Sequence, residues 1–265
     1  MNIFGNGKAA RAGTQAYRCH LDGNKLLEAG KIQEARKKHD EALRLYAEAF
    51  QDGLDRVGML MSYGILLMRD GQYEKARDVF LRVHYKAGLT KDERFELRIN
   101  YSVCLWRLGK LTDAIATIKR AAEDGKTTTI YTTLGLFLVL EAEQTGVFSE
   151  AVAFNEEALE YDDEDAAILD NLGLLHMALC EQALKASDSP AAAERRRLAY
   201  DYLGRAHKRR PRQVTTLYYL AKLLHEDGQD ERAGEFIDAA LAGNFSAICP
   251  VSREMAGALR KEIPE

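Results

Sequence analysis

The sequence predicts an all-α chain of about six antiparallel helix pairs, stacked as a solenoid and closed by one terminal helix. Three observations predict it. A phrase running from Gly to Ala recurs with one internal spacing, and the apolar residues around it follow a helical period of three to four. The 265 residues hold only four prolines, and the 20 glycines are spread singly, so no long linker divides the chain. At 46% hydrophobic residues there is enough apolar surface for a continuous core.

The phrase runs from Gly30 to Ala35, from Gly71 to Ala76, from Gly109 to Ala114, from Gly146 to Ala151 and from Gly228 to Ala233. Glycine ends a helix in the left-handed region at no Cβ cost, so each phrase marks a turn between two helices. Alanine one turn into the second helix lets the two helices approach, and a second alanine seven residues on (Ala42, Ala121, Ala158, Ala240) continues that stripe. On the first helix the matching small residues are Gly23, Gly64 and Ser102. The fourth copy is longer by about four residues between Gly135 and Gly146, one helical turn, so its first helix extends. A sixth copy is carried by Gly173, Ala199, Leu203, Ala206 and Pro211. It holds an insertion near 183–194 with a loop signal over Lys185 to Pro190.

The terminal helix is expected between Ser252 and Glu262, with Ser252 as N-cap and Pro250 blocking continuation upstream. Met255, Leu259 and Ile263 would face inward, and Arg253, Glu254, Arg260 and Lys261 outward. The domain reading is a tail and start of the first helix over 1–15, a solenoid over 16–247 and a capping helix over 248–265. Gly5-Asn6-Gly7-Lys8 has the wrong spacing for a phosphate loop and reads as a disordered terminus.

Lys and Arg total 37 against 41 Asp and Glu, a net charge of −4 with no dominant basic face, so a nucleic-acid partner is not favoured. Cys19, Cys104, Cys180 and Cys249 are far apart without a CxxC and read as free thiols of a reducing compartment. The N-terminus lacks an apolar leader, and no window is apolar enough to span a membrane. A soluble, cytoplasmic protein without membrane insertion is therefore expected. His176 and Cys180 share a helix face, but two ligands do not make a metal site, and packing explains them better. The acidic run Asp162 to Asp165 precedes an apolar helix and reads as its cap. Nothing brings a nucleophile to a base, so no catalytic residue, cofactor or metal is expected, and the chain is read as a non-enzyme.

With its helix–Gly–turn–Ala–helix phrases, the chain resembles the tetratricopeptide repeat (TPR) family, although only the last interval between turn alanines, Ala199 to Ala233, equals the 34-residue family period. The resemblance implies a right-handed superhelical solenoid that binds a protein or peptide along a groove lined by first helices. Placed on that pattern, the groove candidates are His20, Asn24, Met61, Ser62, Arg69, Asn100, Trp106 and Arg107, followed by Thr133, Leu136, Asn171, Tyr218, Tyr219 and Lys222. Asn100 and Asn171 fall where family members pair an amide with ligand backbone; the alternative is an asparagine used within the solenoid. Trp106 is either an aromatic anchor or inter-repeat core. Only Asn24 fits the carboxylate clamp of some members. Two other readings stand beside the adaptor: a structural, self-associating solenoid, and an RNA-binding repeat using Arg195-Arg196-Arg197 and Lys208 to Arg212.

Overall fold

The computed structural model describes residues 3–264, with side chains from residue 7 onward. Among these residues there are thirteen α-helices and no strand. In order they are α1 (Ile3–Glu28), α2 (Ile32–Gln51), α3 (Val57–Arg69), α4 (Tyr73–His84), α5 (Lys91–Arg107), α6 (Leu111–Ala122) and α7 (Thr128–Thr145). They continue as α8 (Ser149–Tyr161), α9 (Ala166–Lys185), α10 (Ser189–Arg209), α11 (Val214–Glu226), α12 (Asp230–Leu241) and α13 (Arg253–Glu262).

The chain divides within α6 into two compact units, Met1–Thr117 and Ile118–Glu265, a division the repeat pattern does not announce. In the first unit α1 packs on α2 and α3 on α4, while the first helices contact one another, α1 with α3 and α3 with α5. In the second unit α7 packs on α8, α9 on α10 and α11 on α12; α7 meets α9, α9 meets α11, and α13 closes on α12.

The turns form as the glycines require. Gly30, Gly71, Gly109, Gly146 and Gly228 all have φ between 72° and 75°. In four of these turns the residue after Gly returns its N–H to a leucine carbonyl at 2.9 Å: Lys31 to Leu26, Gln72 to Leu67, Lys110 to Leu105 and Gln229 to Leu224. These bonds satisfy carbonyls that a helix end leaves open. The fifth pair makes the same closure, Asp188 N–H to Ala183 O at 2.9 Å, but with Ser187 in the left-handed position at φ 60°. The stripe alanines Ala35, Ala42, Ala76, Ala114, Ala121, Ala158, Ala199, Ala206, Ala233 and Ala240 are all essentially fully buried. Opposite them a Cβ on Gly64 would stand 2.4 Å from the Phe80 ring, and one on Gly173 2.6 Å from Leu203, so both glycines are set by close approach of the paired helix.

Three expectations are corrected. The Gly5–Lys8 segment is helical, since α1 begins at Ile3; Met1, Asn2 and Glu265 lie outside the described residues. The loop signal over Lys185 to Pro190 narrows to a break at 186–188, and the rest of the insertion near 183–194 is helix, α9 and α10 running 20 and 21 residues. Asp188 then caps α10 by accepting from Ala191 N–H. In α13 Met255 is 42% exposed, and Ala256 takes its place inward beside Leu259 and Ile263. The inward positions are thus 256, 259 and 263, the i, i+3, i+7 face of a helix capped at Ser252. The lengthened α7 and the cap at Asp165, which accepts from Ala167 and Ile168 N–H, are as the sequence predicts.

Candidate functional site

In the first unit the first-helix face carries three rows of partly exposed side chains. On α1 they are Tyr17, Leu21 and Asn24; on α3 Ser62, Ile65 and Arg69; on α5 Asn100, Val103 and Arg107. The i, i+3, i+7 or i, i+4, i+7 spacing puts each set on one side of its helix. Two rows are joined directly, because Arg69 Nη1 donates to Asn24 Oδ1 at 2.8 Å across 45 residues of sequence. The same oxygen lies 3.2 Å from His39 Nε2. Asn100 Nδ2 donates to Glu96 O at 2.9 Å and the Ser62 hydroxyl to Gly58 O at 2.8 Å, so each spends one donor on its own helix. Asn100 keeps a second donor and its carbonyl oxygen in play. Trp106 is half-buried with the Arg107 guanidinium 4.4 Å over its ring.

His20 and Met61, placed on this face by the family pattern, are instead inside at 6% and 5% exposure. His20 stacks edge-on against His39 and Tyr46, at 5.7 and 6.4 Å between centroids. Burial, with Arg69 and His39 nearby, pushes its imidazole down to about 4, and neither ring nitrogen has a hydrogen-bond partner among the described residues. Sequence reasoning missed Tyr17 and Leu21, each 40% exposed. The available signal was the helical period counted back from Asn24.

The second unit uses the equivalent positions differently. Thr133, Leu136, Asn171 and Tyr218 are buried rather than lining an open face. Asn171 Nδ2 donates to Thr132 O at 2.8 Å, and Asn155, on α8, donates to Gly135 O at 3.2 Å and Ala151 O at 2.9 Å. Both amides fill the space a Cβ on Gly135 would need, at 2.6 and 3.0 Å. The reason is that α7 and α9 are apolar around nearly their whole circumference, which buries a helix on every side. Tyr219 remains half-buried and is influenced by Glu143 of α7, and Lys222 reaches Glu181 at 3.6 Å and Glu226 at 3.9 Å.

His176 stacks flat on Tyr202 at 5.4 Å, and Cys180 is buried. No group of three or more His, Cys, Asp or Glu side chains is placed to hold a metal ion among the described residues. No helix among them is long and apolar enough to cross a membrane.

Four arginines of the basic fifth pair are met by acids of their own or the next pair. Arg196 pairs with Glu226 at 2.8 Å and Asp227 at 2.6 Å, Arg197 with Glu194 at 2.8 Å, Arg210 with Asp165 at 3.5 Å, and Arg209 with Glu164. A cleft of about 290 Å³ beside it is lined by Asp163, Glu164, Leu169, Arg205, Lys208 and Arg209, a mixed set rather than a basic one.

A family model described as tetratricopeptide repeat matches residues 23–88. No curated protein sequence matches the chain. Solved structures similar to it include YrrB, a TPR protein with an unusual peptide-binding site, at 20% identity over 75% of this chain and 88% of that one, with a TM-score of 0.42. A monomeric mutant of IFIT1 with Gppp-AAAA is 13% identical over 85% of this chain, with a TM-score of 0.50, and this chain spans 59% of its length. PilF of Pseudomonas aeruginosa is 13% identical over 94% of this chain and 99% of that one, with a TM-score of 0.49. At such identities the likeness is one of fold.

Proposed function

The chain is a tetratricopeptide repeat protein, and from that premise we propose that it is an adaptor holding an extended peptide segment of another protein on the first-helix face of residues 1–117. Repeats of this family generally mediate protein–protein interaction and are as a rule scaffolds rather than enzymes. The observation that carries the reading is the Asn24–Arg69 bond on a face of otherwise half-exposed polar and apolar side chains. It presets two groups, an amide and a guanidinium, beside Tyr17, Leu21 and Ile65, the mixture that an extended peptide needs: backbone pairing from the amides and side-chain recognition from the apolar positions. Asn100 supplies a second amide. Each amide pairing contributes about 0.5–1.5 kcal/mol net, so discrimination falls to Tyr17, Leu21, Ile65 and the arginines.

The test is a peptide-display selection on the immobilised full chain, with selected sequences measured by fluorescence polarisation against wild type and the Ser62→Lys, Ile65→Lys double variant. Loss of at least tenfold in affinity for the double variant, with an unchanged melting temperature, supports the reading. Equal affinity removes this face from consideration. The basic fifth pair supports an RNA-binding reading less well, because most of its arginines already have acidic partners.

A further inference from the structure

Asp170 sits in the first half of α9, between Leu169 and Asn171, and is 3% exposed. A carboxyl so placed requires partners, because an ionised group in a dry interface without compensation is costly. Its partners come from the next helix pair. The Thr216 hydroxyl donates to Oδ1 at 2.7 Å, and the Gln213 amide donates to Oδ2. Gln213 is the N-cap residue of α11, yet its side chain makes no cap bond; it is turned to Asp170 instead. The positive charge that acts on it, Arg210, is shared with Asp165, whose carboxylate lies 3.5 Å from the guanidinium. The negative charges of Glu143 on α7 and of Asp170 both act on the Tyr219 hydroxyl of α11, which burial keeps neutral. The carboxyl therefore has two neutral donors and only a share of one positive charge.

Two protonation states require two hydrogen-bond patterns. Ionised, Asp170 accepts from both Thr216 and Gln213. Protonated, it carries an O–H that needs an acceptor, and the side-chain amide of Gln213 supplies one when it turns by half a revolution to present Oε1. We infer that Asp170 and Gln213 form a proton-operated clasp between the fifth and sixth helix pairs, closed tightly when Asp170 holds its proton and loosened at the start of α11 when the proton leaves. Burial, with Asp165 adding to it, raises this carboxyl to about 7 despite the opposing bonds from Thr216 and Gln213 and the charge of Arg210, which puts the change of state near neutrality. The sign follows from linkage. The folded chain holds the proton between the ordinary aspartate range and about 7, so this group's contribution to stability is present at acid pH and lost as pH rises to about 7. The clasp is independent of any partner and of the proposed binding face.

The test is carbon NMR of the aspartate carboxyls in the full chain, the Asp170 resonance being the one lost in Asp170→Asn, or the one displaced in Thr216→Val should Asp170→Asn not fold. The expected midpoint lies between pH 6 and 8, and the Gln213 side-chain amide signals should move with the same midpoint. Thr216→Val removes a donor that serves the ionised state, so the midpoint should rise by about one unit, a tenfold change that a purely structural role would not produce. After correction for the intrinsic rate, amides of α11 should exchange at least tenfold faster at pH 8.5 than at 5.5, whereas those of α1 to α4 should not exchange faster. A midpoint below pH 5, Gln213 signals that do not move, or a midpoint unchanged in Thr216→Val each overturns the clasp.

Discussion

Along α3 the row Ser62, Ile65, Arg69 runs from half-buried to exposed, whereas the matching row of α9, Asn171, Leu174, Ala178, is buried throughout. Both rows stand at the same offset from a close-packed glycine, Gly64 in one and Gly173 in the other. A position in a repeat therefore fixes the direction of a side chain around its helix and says nothing about whether a neighbour covers it. Cover is decided by the rest of the helix. In α3 Arg69 and Ser62 break the apolar surface, while in α9 the residues around Asn171 are buried and its amide turns to the Thr132 carbonyl.

The sharpest test of this difference is truncation in the two places. Phe137→Ala in α7, at a fully buried ring, should cost about 3–5 kcal/mol in urea unfolding. Val103→Ala on the half-buried row of α5 should cost about 1 kcal/mol or less. Equal losses would mean that the two faces are packed alike. Next in size, Asn171→Ala should lose about 1–3 kcal/mol by removing a buried bond to Thr132 O and leaving its space unfilled, while Asn100→Ala should change stability by less than about 0.5 kcal/mol.

Acid should separate the units as well. His20 in the first and His176 in the second are both pushed down to about 4, with burial as the leading cause. The unfolded imidazole takes up a proton near 6.5, so the stability each neutral ring contributes is complete above 6.5 and lost as pH falls toward about 4. In the second unit Asp170 opposes that loss over the same range. Hydrogen exchange followed from pH 6.5 to 4.5 should therefore show protection falling more in α1 to α4 than in α9 to α11, and His20→Asn should flatten the first fall. Smaller still, Ser187→Gly should stabilise the chain by about 0.5 kcal/mol. Relief of a left-handed serine outweighs glycine's added freedom in the unfolded chain, and the shift in urea midpoint reads it. On binding, Asn100→Ala should weaken affinity for a selected peptide by tenfold or less in fluorescence polarisation.

The helix pairs were legible because their determinants are local. A left-handed glycine, an alanine five residues later and a small residue seven earlier each obey a backbone or contact rule that needs no knowledge of the rest of the chain. The fifth pair was harder, since Lys185 to Pro190 has turn composition and nothing local says that the insertion on either side continues as helix. Met255 was misplaced by one position, as Ala256 serves the same face with less apolar signal. On the candidate face Asn24, Ser62, Arg69 and Asn100 were legible from the repeat register. Asn171, Thr133, Leu136 and Tyr218 are buried for the reason the comparison gives, Asn171 taking the role within the solenoid that stood as its alternative. Asp170 escaped notice because a lone acid in an apolar run reads as a solvated position until the facing Thr216 and Gln213 are known.

Trp106 is the chain's one tryptophan, and it lies on α5 in the first unit beneath the Arg107 guanidinium. Nature has thus placed an optical reporter in one half of the molecule only. Its emission follows the melting of residues 1–117, while circular dichroism sums every helix. Where the two curves coincide the units melt as one cooperative block; where they part, their separation measures how unequal the two halves are.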